Sequence, residues 1–199
     1  MSEKDAQGRA VLIVDVISDF DFEDGEALFE RAKPAIEQLA KFIKKCREDD
    51  VPVIYVNDPP SDGSSSVPAL LDKVRGDEKG RWMLENVGPE DDETIILKPQ
   101  HSGFFRTDLE ETLKKVHAQE LIVTGLTTDI CVFFTAHDAF MRGLKVCVPE
   151  DCVAALTDAY HADALNFLSR VAEADTSPAL NGYSVSSGTS LHHSADSLW

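Results

Sequence analysis

Short unbroken apolar runs alternate along the chain with stretches where apolar residues recur every three or four positions. Ala10-Val11-Leu12-Ile13-Val14, closed by Asp15, reads as a strand buried on both faces, since a half-exposed strand would alternate apolar and polar side chains. Residues 51–56, 94–97, 120–124 and 144–148 read as four more strands, with Pro52 at the entrance of the second and Pro149 stopping the last. After the first strand, Leu28, Ala32, Ile36, Leu39, Ile43 and Cys46 recur at steps of three and four, the stripe of an amphipathic helix. Pro34 is tolerated near a helix's first turn, so the regular helix is predicted to start close to it. Further helices are predicted over 108–117, 129–142 and 157–172, with Gly143 placed to take the C′ position of the middle one.

Strands separated by helices imply right-handed crossovers, hence an α/β chain built on a parallel sheet. Residues 57–80 are rich in Pro, Ser, Gly and Asp and too long for a simple connection, which predicts a functional loop or lid. Residues 172–179 fall where a sixth, edge strand would lie, although their apolar pattern is poor. Residues 181–199 are Ser/Gly-rich with little apolar content and are predicted to be a disordered tail to one domain spanning 1–180.

The charge narrows the partners. With 19 Lys+Arg against 36 Asp+Glu the formal net charge is −17, the wrong sign for nucleic acid or an anionic membrane, so neither is predicted as a partner. No apolar run approaches the ~18 residues of a membrane span, and the first ten residues lack a signal peptide's apolar core. The expected compartment is the cytoplasm, where Cys46, Cys131, Cys147 and Cys152 would be thiols rather than bridges.

In an open parallel sheet, ligands bind beyond the carboxyl ends of the strands. Asp15 ends the first predicted strand, Lys98 the third, and Cys131 follows the fourth across the turn at 125–130. A cysteine nucleophile acts as thiolate, which a lysine ammonium or a helix N-terminus capped by Thr127, Thr128 or Asp129 would favour. Asp15 would carry the proton from the thiol to a leaving amine. Singly, each residue has a plainer reading: a turn acid, a solvated lysine, a buried thiol. A dinucleotide-binding module is disfavoured, because neither GxGxxG after the first strand nor GxxxxGK[ST] is present.

Three segments carry a resemblance: Val14-Asp15-Val16-Ile17-Ser18-Asp19-Phe20, Lys98-Pro99-Gln100-His101-Ser102-Gly103-Phe104, and Thr124-Gly125-Leu126-Thr127-Thr128-Asp129-Ile130-Cys131-Val132. In order and spacing they resemble the signatures of the isochorismatase-like cysteine hydrolase superfamily. The resemblance implies a Rossmann-like three-layer sandwich with a mostly parallel six-stranded sheet and helices on both faces. It also implies a triad of Asp15 (base, then acid), Lys98 (charge stabiliser) and Cys131 (nucleophile). A cis peptide before Thr127 would turn the amides of Thr127 and Cys131 into an oxyanion hole. The activity implied is hydrolysis of the C–N bond of a small amide, carbamoyl or ureido substrate through a thioester. The alternatives are an isochorismatase-type vinyl-ether hydrolase or a non-catalytic paralogue that keeps the fold, and alkylation of Cys131 well below pH 8 would mark an activated thiol.

The resemblance further implies a dimer or tetramer. Nicotinamidases of the superfamily carry a metal bound by Asp and several His after the second strand. Here that region, Asn57-Asp58-Pro59-Pro60, has no His, so no metal and no cofactor are predicted. Ile17-Ser18 replaces the family's usual Gln-Asn, and Gly103 its usual Ala. Candidate substrate-lining residues are Phe20, Trp82, His101, Phe104 and Phe134, each with a core reading beside it. Arg106 is a candidate for carboxylate recognition, though a surface arginine is the commoner case.

Overall fold

In the computed structural model, which describes residues 8–60 and 66–182, the first strand of the chain is the middle of the sheet. Strand β1 (Arg9–Val14) pairs in parallel with β2 (Val53–Asn57) on one side and β4 (Glu120–Leu126) on the other. Strand β3 (Thr94–Leu97) lies outside β2, while β5 (Lys145–Cys147) and the short β6 (Val153–Ala154) both pair with β4. All pairs are parallel, as the alternation of apolar runs and helical stripes requires.

Because β1 has neighbours on both edges and helices on both faces, Ala10 to Val14 are wholly buried. Val11 and Ile13 pack with Ile36, Leu39 and Ile43 of α1 (Gly25–Glu48), Leu70 of α2 (Val67–Arg75) and Met83 of α3 (Glu78–Val87). Leu12 and Val14 face the opposite layer, with Leu109 of α4 (Leu109–Lys115), Ala136 of α5 (Phe133–Met141) and Leu168 of α6 (Asp158–Val171). The two clusters are the two interfaces of a three-layer sandwich. Each buried Leu or Ile contributes on the order of 2 kcal/mol. No helix among the described residues is long and apolar enough to cross a membrane.

The chain winds outward from β1 through β2 to β3, then returns past β1 to β4. The reversal leaves a crevice above the carboxyl ends of β1 and β4, the place where open α/β sheets bind ligands.

Four expectations need correction. Helix α1 begins at Gly25, well before Pro34, which lies inside it. Pro34 and Glu30 are both on the solvent side, so the Glu30 carbonyl that proline leaves without a partner is open to water. Burial of Leu28, Phe29 and Ala32 holds the earlier turns to the sheet. The segment 57–80 is helical from Val67: Ser66 accepts the Ala69 N–H, a proline occupies the first turn of α2, and Asp77 caps α3 by accepting the N–H groups of Lys79 and Gly80. Its residues 61–65 lie outside the described residues, as does all of the expected tail beyond the short α7 (Ala179–Gly182).

The sixth strand is Val153–Ala154 rather than 172–179. In the latter segment Asp175 makes one parallel bridge to Cys147. The Asp175 carboxylate then accepts the Ser177 N–H in a local turn, and Pro178 follows, so pairing ends. Finally, the helix expected over 129–142 is a π-helical turn, Thr128–Val132, followed by α5.

Two glycines show how space and conformation combine. Gly143 (φ 79°) closes α5 as its C′ residue, its N–H donating to Phe140 O and that of Leu144 to Ala139 O, the pairing of a Schellman motif. A Cβ there would meet nothing within 4 Å. Gly125 (φ 102°) lies opposite Val14, and a Cβ there would stand 2.1 Å from the Val14 carbonyl oxygen. Gly143→Ala is expected to cost about 1 kcal/mol and Gly125→Ala at least about 3 kcal/mol, because the second adds a collision between β1 and β4 to the backbone strain. Urea unfolding midpoints compare them, and equal losses would contradict this packing.

Candidate active site

At the end of β1 the chain turns sharply. Asp15 takes a left-handed conformation (φ 52°) while its N–H still donates to Val56 O, so its side chain leaves the sheet into the crevice. Asn57, buried at the end of β2, holds the following turn from both sides: Ile17 N–H donates to its Oδ1 at 3.2 Å, and its Nδ2 donates to Ile17 O at 2.9 Å. Asp58 N–H donates to Asp15 Oδ1 at 2.9 Å.

Lys98 follows β3, two strands away, anchored by its N–H on Asn57 O. Its side chain is 0% exposed. Lys98 Nζ stands 2.8 Å from Asp15 Oδ2, 2.5 Å from Asp58 Oδ1 and 3.4 Å from Cys131 Sγ. Three residues dispersed over more than a hundred positions therefore meet around one ammonium.

Cys131 reaches this point on the π-helical turn after β4, where Val132 N–H bonds Thr127 O five residues back. The Leu126–Thr127 peptide is cis, as the resemblance implies. The expected side-chain caps do not form. Thr128, fully buried, instead places its Oγ1 3.0 Å from His161 Nδ1 of α6.

The electrostatics depart from expectation at the thiol. Burial, with Asp15 beside it, pushes the Cys131 thiol well above its ordinary range, and Lys98 offsets only part of this. Burial also raises Asp15, against the lowering pull of Lys98. Burial works against the charge of Lys98, yet Asp15, Cys131 and Asp58 together raise its pKa. Burial thus favours the thiol over the thiolate at Cys131 and heightens the proton affinity of Asp15, while the surrounding groups favour the charged form of Lys98.

A cavity of about 390 Å³ opens over the three groups. Phe20 and His101 line it as expected, His101 Nδ1 lying 4.0 Å from Cys131 Sγ. Trp82, Phe104 and Phe134 do not. Trp82 packs edge-on against Phe29 between α1 and α3, and Phe104 is buried in the other layer under Arg142. Phe134 is exposed and stacks on His101 from outside the cavity. Arg106 is also outside, exposed and over the Phe105 ring. Sequence reasoning missed Asp58 as a member of the charge cluster, and missed α2 as a wall: Leu70, Lys73 and Val74 line the cavity. The Leu70/Val74 spacing, one helical turn, was the available signal. None of the four cysteines, all among the described residues, is in a disulfide.

The residues do not fit a metal at this position. Asp58 is engaged by Lys98, two prolines follow it, and among the described residues no three His, Cys, Asp or Glu side chains converge to hold an ion.

The isochorismatase domain model matches residues 9–177. The chain is 30% identical over 163 residues to the isochorismatase family protein YaaI of Bacillus subtilis (strain 168), covering 82% of this chain and 90% of that protein. It spans about half the length of several other curated relatives it matches. Among solved structures it is similar to an isochorismatase-like hydrolase from Alkaliphilus metalliredigens, with TM-score 0.73 and 25% identity over 92% of this chain and 99% of that one. It is similar also to N-carbamoylsarcosine amidase from Thermoplasma acidophilum, with TM-score 0.67 and 27% identity over 86% and 96% of the two chains.

Removing the buried ammonium tests the cluster. Lys98→Met is expected to cost about 3 kcal/mol at pH 7, because Asp15 and Asp58 lose the cation that compensates them. The deficit should narrow on acidification toward about pH 5, since Asp15 already binds its proton above the ordinary carboxylate range and a neutral carboxyl needs no counter-charge. Urea unfolding at the two pH values measures it. A loss that does not change with pH would count against the charge cluster.

Proposed function

This chain belongs to the isochorismatase family of hydrolases, and from that premise we propose that it is a cysteine amidohydrolase, cleaving the C–N bond of a small amide, carbamoyl or ureido compound through a thioester on Cys131. The observation that carries this reading is the meeting of Lys98 Nζ with Asp15 at 2.8 Å and with Cys131 at 3.4 Å at the base of the cavity. The similarity to an amidase whose substrate is a carbamoyl compound supports the choice of bond.

The raised pKa of both Cys131 and Asp15 fits a proton that moves only when a carbonyl is in place. As the sulfur attacks the carbonyl carbon, its proton passes to Asp15, within hydrogen-bond reach, and the carbonyl oxygen takes up negative charge. The N–H groups of Thr127 and Cys131 would receive that oxygen. Asp15 then protonates the nitrogen, the C–N bond breaks, and ammonia or an amine departs from an acyl-enzyme. Water attacks the thioester as Asp15 takes its proton; the C–S bond breaks, and the thiol recovers a proton. Throughout, Lys98 keeps Asp15 aimed at the sulfur and balances the negative charge that moves between them.

Cys131→Ala is expected to lower ammonia release from an amide and ureido-acid panel by at least about 1,000-fold while leaving the unfolding midpoint close to wild type. Activity that survives the substitution would refute the scheme. In the wild type, kcat/KM is expected to fall on acidification with a midpoint above the ordinary carboxylate value of about 4, because Asp15 must be unprotonated to accept the thiol proton and its pKa is raised. A pH–rate profile whose acid limb lies at or below about 4 would exclude Asp15 as the base.

A further inference from the structure

The charges around the cavity restrict what can enter it. Four carboxylates line it, Asp15, Asp19, Asp21 and Asp58, against one ammonium, Lys73; counting Lys98 as well, buried beneath Asp15 and Asp58, two formal negative charges are unbalanced. Both ammoniums are already engaged: Lys98 by Asp15 and Asp58, and Lys73 by Asp19 at 2.9 Å. Lys79, whose charge Asp21 feels, is bound to Glu26 at 2.7 Å. No arginine lines the cavity among the described residues. Apolar side chains of Ile17, Phe20, Leu28, Leu70, Val74 and Leu126 also line it, beside His101 and the uncharged polar Ser18, Asn57 and Thr127.

A carboxylate is recognised by a bidentate arginine or by an ammonium with bonds to spare. Here an incoming carboxylate would have to displace Asp19 from Lys73, exchanging one ion pair for another, with the freed Asp19 left beside Asp21. An apolar amide costs no such exchange, and a cationic one gains from the surplus acids. We propose that this site takes amides that are neutral or cationic around an apolar body, and that it rejects amides carrying a carboxylate. N-carbamoylsarcosine, the ureido acid named for a structural neighbour, belongs to the rejected class. The bond cleaved is that of the amidohydrolase reading above, on which the proposal rests.

Two measurements separate the charge preference from the chemistry. The first uses the 2-aminoethyl, methyl and 2-sulfonatoethyl methanethiosulfonates, which deliver a cation, a neutral group and an anion to a thiol. Rates at Cys131, followed by mass spectrometry of its peptide, are compared with those of an uncharged cysteine peptide. The cationic-to-anionic ratio is expected to exceed the peptide's at least about tenfold, to shrink in ~1 M salt and to narrow in Asp21→Asn. A ratio at or below the peptide's overturns the proposal. The second compares kcat/KM for succinamate with its neutral isostere 4-methylpentanamide, and for the cationic β-alaninamide with butyramide, each pair matched in heavy atoms; succinamate is expected to be at least about tenfold poorer than 4-methylpentanamide. Succinamate as the best substrate would refute the charge preference and uphold the amidohydrolase. No hydrolysis of any amide, with the reagent ratio still favouring the cation, would refute the amidohydrolase and uphold the field.

Discussion

A fully buried ammonium governs the architecture of the site. An amine cation withdrawn from water is tolerated only with compensating charge and hydrogen-bond acceptors around it. Lys98 meets that demand with groups from three separate stretches of chain: Asp15 after β1, Asp58 after β2 and Cys131 after β4. Satisfying it obliges β3, β2, β1 and β4 to stand in register at their carboxyl ends, so the fold's integrity and the site's geometry are the same condition. The clamp of Asn57 on Ile17 and the close approach of Gly125 to Val14 are the backbone devices that hold those ends level.

The sulfur and the carboxylate beside it share one environment, and burial pushes both toward their protonated forms. In the proposed reaction, a nucleophile favoured as its thiol reacts slowly with passing electrophiles. It becomes reactive when an occupant displaces water and presents an electrophilic carbon, so binding and activation are one event. The excess of acids around the mouth extends the same logic outward, since the groups that suit proton transfer also set the sign of the field a substrate meets.

Much of this was legible in the sequence because strand ends are legible. An unbroken apolar run closed by a polar residue marks both the strand and the residue at its carboxyl end, and this located Asp15 and Lys98 at one edge of the sheet, with Cys131 a turn beyond it. Features set by tertiary context were not legible. Pro34 argues locally for a helix start, but its position on the solvent side lets the helix run through it. The composition of 57–80 suggests a loop, while the same serine, proline and aspartate are caps and first-turn residues of two helices. Aromatic character could not distinguish Phe20, which lines the cavity, from Trp82 and Phe104, which fill the layers beside it. The sign of the thiol's shift depended on how near Asp15 came and how little water remained, neither of which spacing encodes.

The central position of β1 has a consequence for how the molecule comes into being. Strand β1 is made before its partner β4, and Arg9 meets Glu120 at a sequence separation of 111. Half of its ladder therefore stays open until more than half of the chain has been synthesised, and the contacts that complete the core are among the most distant in sequence. High contact order of this kind slows folding and leaves a hydrophobic edge exposed in the nascent chain. Synthesis must run past Leu126 before the centre of the sheet can close.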